Sequence, residues 1–127
     1  MNKKIKAITF DLDDTFWDVK PVIINAEMKT RKFIEDRIGK LDWGSWEDFK
    51  TIREKLIVED ASYGFDVGKL RKRLLFMKIQ ERISDPETAD KLSEKAFQLF
   101  FKERNNVEFF PYVLDEIMKL SKIYKLG

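Results

Sequence analysis

Ile8-Thr9-Phe10-Asp11-Leu12-Asp13-Asp14-Thr15 decides how the chain is read. An apolar and β-branched run ends abruptly in three carboxylates and is closed by a threonine. Upstream, Ile5, Ala7, Ile8 and Phe10 extend the run into a strand over residues 5–10. Its apolar character predicts burial on both faces. A strand ending in acids carries charge to the rim of a sheet, where ligands of open α/β folds bind.

Outward from that stretch the chain turns helical. Pro21 can occupy a first turn, and Ile23, Ala26, Thr30, Phe33 and Arg37, widened by Ile24 and Ile34, predict a helix over about 20–38, with Gly39 as its C-cap. Ser45-Trp46-Glu47-Asp48 approximates a capping box, and Phe49, Ile52 and Leu56 mark a helix over about 46–60. Asp66 caps a third helix bearing Val67, Leu70, Leu74 and Met77. Asp85-Pro86 opens a fourth that runs to about 103 with Ala89, Leu92, Ala96 and Leu99 on its stripe. After the Asn105-Asn106 turn, Pro111 starts a short helix with Val113, Leu114, Ile117 and Met118 expected inside. Ile123–Leu126 then reads as the beginning of a second strand. Four consecutive helices are too many for a one-helix crossover between parallel strands. The economical reading is a helical insertion at 18–104, with 1–17 and 105–127 belonging to a parallel, Rossmann-like sheet that is incomplete within this chain. The expected class is α/β, represented mainly by its α part.

Composition removes most other chemistries. The 127 residues suffice for one domain or parts of two, and 43% hydrophobic with 13% aromatic content fits a folded chain. The 25 basic and 23 acidic residues leave a net charge of +2, which makes no electrostatic case for nucleic acid. Without Cys there is no disulfide, thiolate nucleophile or Cys-based zinc site; without His there is no imidazole base or His-bound metal. Acid–base work falls to Asp, Glu, Lys or Tyr, and a metal must be a hard ion held by oxygen. No apolar run approaches the ~20 residues that cross a bilayer. The basic start at Met1 to Ile5 is followed by no apolar core, so a leader is not expected and a cytoplasmic location is.

Asp11 and Asp13, one residue apart in the loop after the strand, are expected on the same side of it. Carboxylates so close repel, which favours a divalent cation and pushes one toward holding a proton. Phosphate-ester cleavage needs both conditions. One carboxylate attacks phosphorus, and the other protonates the leaving oxygen and later deprotonates water. Mg²⁺ neutralises charge between nucleophile and phosphate.

The pattern apolar strand–Asp-x-Asp-x-Thr, from Ile8 through Trp17 and followed by an inserted helical cap, resembles the haloacid-dehalogenase superfamily. Val107 to Gly127 resembles the segment leading to that family's second motif strand. The nearest likeness within the family is to phosphatases of small sugar or nucleotide phosphates, including flavin-pathway pyrimidine phosphatases. The resemblance implies Asp11 as nucleophile and Mg²⁺ ligand, and Asp13 as general acid/base and Mg²⁺ ligand through its carbonyl. It implies that Thr15 orients Asp13, that Asp14 stands where many members have Gly, and that Phe16 and Trp17 lie near the substrate entrance. Arg71, in the pattern Asp66…Arg71, is the cap residue with a claim to face the site. The family also needs a second-motif Ser/Thr, a Lys and a later acidic pair. The chain ends where these would begin, so it is expected to be an N-terminal portion with little activity alone.

Other features have simpler readings. The basic run Lys69–Lys78 is expected to be a solvated helix face. Phe97, Phe100 and Phe101 are expected in the core, though part of this stripe and of the 113–118 helix could be exposed and drive a homodimer or swapped oligomer. The expected substrate is a small phosphorylated metabolite. The competing reading is a non-catalytic helical interaction protein that retains the acidic turn.

Overall fold

The computed structural model describes residues 4–127. Its elements run β1 (Ala7–Ile8), α1 (Val19–Ile38), α2 (Trp46–Glu59), a 3-10 turn (Ala61–Gly64), α3 (Val67–Gln80), α4 (Pro86–Arg104), α5 (Val113–Ser121) and β2 (Lys125–Leu126). The reading of the Met1–Lys3 start as no leader falls outside the described residues. No described helix is long and apolar enough to cross a membrane.

Local chemistry sets the helix ends. Ser45 and Asp48 form a reciprocal capping box at the start of α2, and the Ser45 backbone N–H holds the Asp48 carboxyl below its usual range. Asp66 accepts from the Lys69 N–H and Asp85 from the Thr88 N–H, opening α3 and α4. Gly39 ends α1 at φ +90°, a conformation that side chains other than glycine's rarely adopt.

The helices bury one stripe each. Val22, Ala26, Thr30 and Ile34 recur every four residues on α1, and Ala89, Leu92, Ala96 and Phe100 line α4. Ile34, Leu75, Ile79, Ala89, Leu92 and Ala96 form one cluster joining α1, α3 and α4. Thr30 and Ser93 are buried among them, and each donates its hydroxyl to a carbonyl of its own helix, at 2.7 Å to Ala26 and 2.8 Å to Asp90. Ile34 packs near Ala89 and Leu92, while Asn25 and Lys29 meet Glu103. α1 and α4 are therefore antiparallel, and the start of one lies beside the end of the other.

β1 and β2 pair in parallel, with Ala7 opposite Lys125 and Ile8 opposite Leu126. The mostly helical architecture with a short parallel sheet agrees with the expected class. Several burial expectations need correction. The strand is not buried on both faces: Ile5 and Ala7 are exposed and Ile8 is only half-buried, because the sheet among the described residues has two strands. Ile24 does not widen the α1 stripe. It lies two residues from Val22, about 200° around the helix, and is exposed. Leu114 and Met118 are 58% and 62% exposed, since α5 turns Val113, Ile117 and Leu120 inward instead. Phe101 is likewise exposed, whereas Phe100 is buried and Phe97 packs on the core cluster.

Ile79 is fully buried at the centre of the cluster. Ile79→Ala is expected to lower unfolding free energy by about 2–5 kcal/mol in urea titration. Ile24→Ala, on the exposed face, should stay within about 0.5 kcal/mol.

Candidate active site

The ladder begun by β1 continues past the strand. The Gly127 N–H donates to the Ile8 carbonyl at 2.9 Å, and the Phe10 N–H donates to the Gly127 carbonyl at 3.0 Å. The chain then folds into a tight turn. Thr15 and Phe16 N–H groups both donate to the Leu12 carbonyl, at 3.2 and 3.0 Å, and the Asp14 N–H donates to the Trp17 carbonyl at 2.8 Å. The turn requires a left-handed residue, and Asp14 supplies it at φ +59°. Glycine adopts this conformation freely and Asp tolerates it better than most residues, a physical reason for Asp where the family pattern often has Gly. The Asp14 carboxylate also accepts the Val19 N–H at 3.1 Å, satisfying an otherwise orphaned donor at the start of α1.

Beneath the turn lies an aromatic cluster. Phe16 sits 5.1 Å from Phe10 and 6.4 Å from Phe109 between ring centroids, and Trp17 meets Phe109 edge-on at 5.7 Å. Phe16 and Trp17 are half-buried here. The Phe110 N–H donates to the Phe16 carbonyl at 2.6 Å, and Trp17 pairs with Phe109 in an antiparallel bridge. The segment entering the helices is thus hydrogen-bonded to the segment leaving them.

The two motif carboxylates have different settings. Asp11 is exposed, and its contact is a long 3.5 Å approach from the Thr15 hydroxyl. Asp13 is half-buried and held through both oxygens. Trp17 Nε1 donates to Oδ1 at 3.1 Å, and the Arg104 guanidinium donates to Oδ2 at 2.6 Å. The Thr15 hydroxyl, expected to orient Asp13, lies against Asp11 instead, and the side chains that bond to Asp13 are Trp17 and Arg104. Surface pairs like this one, with side chains 26% and 45% exposed, contribute about 0–1 kcal/mol, so its interest is directional. Arg71 is not brought to the acidic turn. It pairs with Glu27 of α1, stacks 3.7 Å above the Phe100 ring, and lines a cleft of about 750 Å³ between α1, α3 and the 42–49 segment.

Arg104 was not a candidate from the sequence. Nothing local marks it, but an insertion spanning 18–104 makes residue 104 a neighbour of residue 17, and a basic residue there is a signal. Its place is set by Glu103, which accepts from Lys29 at 2.9 Å and Asn25 at 3.4 Å. The Lys29 bond holds the Glu103 carboxyl below its usual range.

Among the described residues no group of three or more acids is arranged around a metal. Mg²⁺, however, is commonly bound by one or two protein carboxylates, with waters and substrate phosphate completing an all-oxygen shell. The exposed Asp11 carboxylate suits that role. The Asp13 carboxylate is instead committed to Trp17 and Arg104, and for that residue the resemblance implies the main-chain carbonyl as ligand.

No family model matches the chain. A 5-amino-6-(5-phospho-D-ribitylamino)uracil phosphatase of Escherichia coli is 27% identical over 123 residues, covering 97% of this chain and 52% of that protein. The crystal structure of a 2-haloacid dehalogenase from Pseudomonas syringae superposes with a TM-score of 0.85 at 35% identity, covering 98% of this chain and 54% of that one. The chain is similar, over part of each relative, to proteins of the haloacid-dehalogenase superfamily. It spans about half the length of these relatives. Within the superfamily fold it corresponds to the N-terminal part with its helical cap.

Asp14 serves the turn and the helix together. Asp14→Ala, which keeps the strained φ and loses the acceptor for the Val19 N–H while the Asp18 N-cap stays, is expected to cost about 1–2 kcal/mol. Asp14→Gly, which relieves the strain, should cost less. Thermal unfolding of the two variants in parallel checks the order.

Proposed function

We propose that this protein is a Mg²⁺-dependent phosphomonoester hydrolase of small phosphorylated metabolites. Asp11 is the nucleophile that forms an aspartyl-phosphate, and Asp13 is the general acid and then base. The observation that supports this most is the unlike setting of two acids on one turn. Asp11 is open to an incoming phosphorus, while Asp13 is held by directed hydrogen bonds beside it. Attack by an Asp11 oxygen on phosphorus expels an alkoxide, a poor leaving group that needs a proton. Asp13, two residues away, would give it, and would later take a proton from the water that cleaves the acyl-phosphate. Mg²⁺, held by Asp11 and the Asp13 carbonyl, would offset charge between carboxylate and phosphate. Thr15 would steady Asp11 through its hydroxyl.

The similarity to a 2-haloacid dehalogenase favours a second reading, displacement of halide from carbon by Asp11. Halide leaves without a proton, so that chemistry gives Asp13 no task in the displacement step. The acid pair therefore favours the phosphate reading, as does the E. coli phosphatase among the relatives.

A transferring phosphoryl group also needs donors for its oxygens and a balancing cation. Arg104 is already committed to Asp13. We propose that those groups come from outside these 127 residues, and that turnover belongs to the protein produced from its complete gene. That protein should hydrolyse p-nitrophenyl phosphate with Mg²⁺ and lose the activity on chelation. Asp11→Asn should reduce it to background with an unchanged circular dichroism spectrum. Retained hydrolysis in Asp11→Asn, or faster chloride release from 2-chloropropionate than phosphate release, would overturn the proposal.

A further inference from the structure

Arg104 makes a contact that the phosphate chemistry does not by itself require. It is the final residue of α4, and it reaches a carboxylate 91 positions earlier in the chain. The other oxygen of that carboxylate belongs to Trp17. Trp17 lies just ahead of α1, and Arg104 closes α4. The two side chains that hold Asp13 thus come from the two places where the chain passes between strands and helices. Those places are themselves bonded through Trp17 with Phe109 and Phe16 with Phe110.

The position of Arg104 follows from helix packing. Its neighbour Glu103 is tied to Lys29 and Asn25 of α1, so the end of α4 is fixed against the start of α1. A guanidinium suits the task better than an ammonium, because its planar donors have fixed directions and can set the plane of a carboxylate. The indole N–H of Trp17 is a single donor on a ring wedged against Phe109 and Phe16. Together they leave the Asp13 side chain one orientation.

We propose that Arg104 is a positioning residue. It acts through Asp13, fixing the direction of that carboxylate and tying it to the seating of α4 on α1, and Trp17 senses its loss. The value of this arrangement to catalysis rests on Asp13 being the acid–base group. The physical coupling does not.

The Trp17 indole N–H reports the coupling without substrate. In ¹⁵N-labelled protein, Arg104→Gln should shift the Trp17 indole resonance and speed its exchange with solvent about 10-fold, because the freed carboxylate leaves Trp17 as well. Asp13→Asn should have a comparable effect, and the double substitution should add nothing further, as expected for members of one network. Arg104→Lys should fall between wild type and Arg104→Gln. The Trp43 indole, bonded to Glu35 at 2.7 Å elsewhere in the helices, is the internal control and should not move. An unchanged Trp17 signal in Arg104→Gln, additive effects in the double variant, or joint movement of Trp17 and Trp43 in both Arg104 variants would each overturn the proposal. In the protein from the complete gene, Arg104→Gln should lower kcat about 10-fold with little change in KM, and Arg104→Lys should restore part of it. If the NMR coupling is present but Asp11→Asn still hydrolyses phosphate ester, Arg104 still positions Asp13 and only the chemical reading of the turn falls.

Discussion

The antiparallel packing of α1 on α4 is the constraint on which the other features depend. Ala26 and Ala96 are fully buried in it, and small side chains at such positions let two backbones approach closely. Thr30 and Ser93 sit in the same seam without penalty, because each returns its hydroxyl to its own helix. Once these faces meet, the beginning of α1 and the end of α4 are at one place. Everything near the acidic turn is then a matter of short reach. Glu103 finds Lys29, Phe110 finds Phe16, and Arg104 finds Asp13.

The turn itself combines demands that usually compete. A left-handed residue is needed to fold it, and the Val19 N–H at the start of α1 needs an acceptor beside the one that the Asp18 N-cap gives Lys20. Glycine would meet the first and fail the second. Asp14 meets both, at the expense of some backbone strain. Its neighbours Asp11 and Asp13 divide along another line, one facing solvent and one held from two sides. Three acids within four positions are thus assigned three separate physical tasks by their surroundings.

Much of this was legible in the sequence where the signal was local. Ser45 with Asp48, Asp66, Asp85 with Pro86, and Gly39 all mark helix ends by chemistry within three or four residues, and those ends are where the structure has them. The order of strand, four helices, helix and strand followed from the same marks, and the acidic turn was recognisable from its spacing. Signals that depend on what lies opposite were not legible. The apolar face of β1 reads as buried, yet its exposure is decided by how many strands stand beside it. Leu114 and Met118 read as interior because they stand beside Val113 and Ile117 on the apolar side of α5, and only packing chooses which part of that side is covered. Arg71 is an unremarkable member of a basic run until Glu27, 44 residues earlier, takes it. No neighbour in the sequence marks Arg104 either, and its partner is twice as far away; only its place at the end of the insertion hints at it.

The meeting of Phe16 with Phe110 has a consequence for how such a chain could have arisen. A long excursion costs little when its two ends are a hydrogen bond apart, because loop-closure entropy grows slowly with length and the anchor points need not separate. The stem at Trp17 and Phe109 would accept a shorter graft, or a different one, without asking the paired strands to move. What such an exchange could not carry over for free is the guanidinium, which a new occupant would have to reinvent at its own exit.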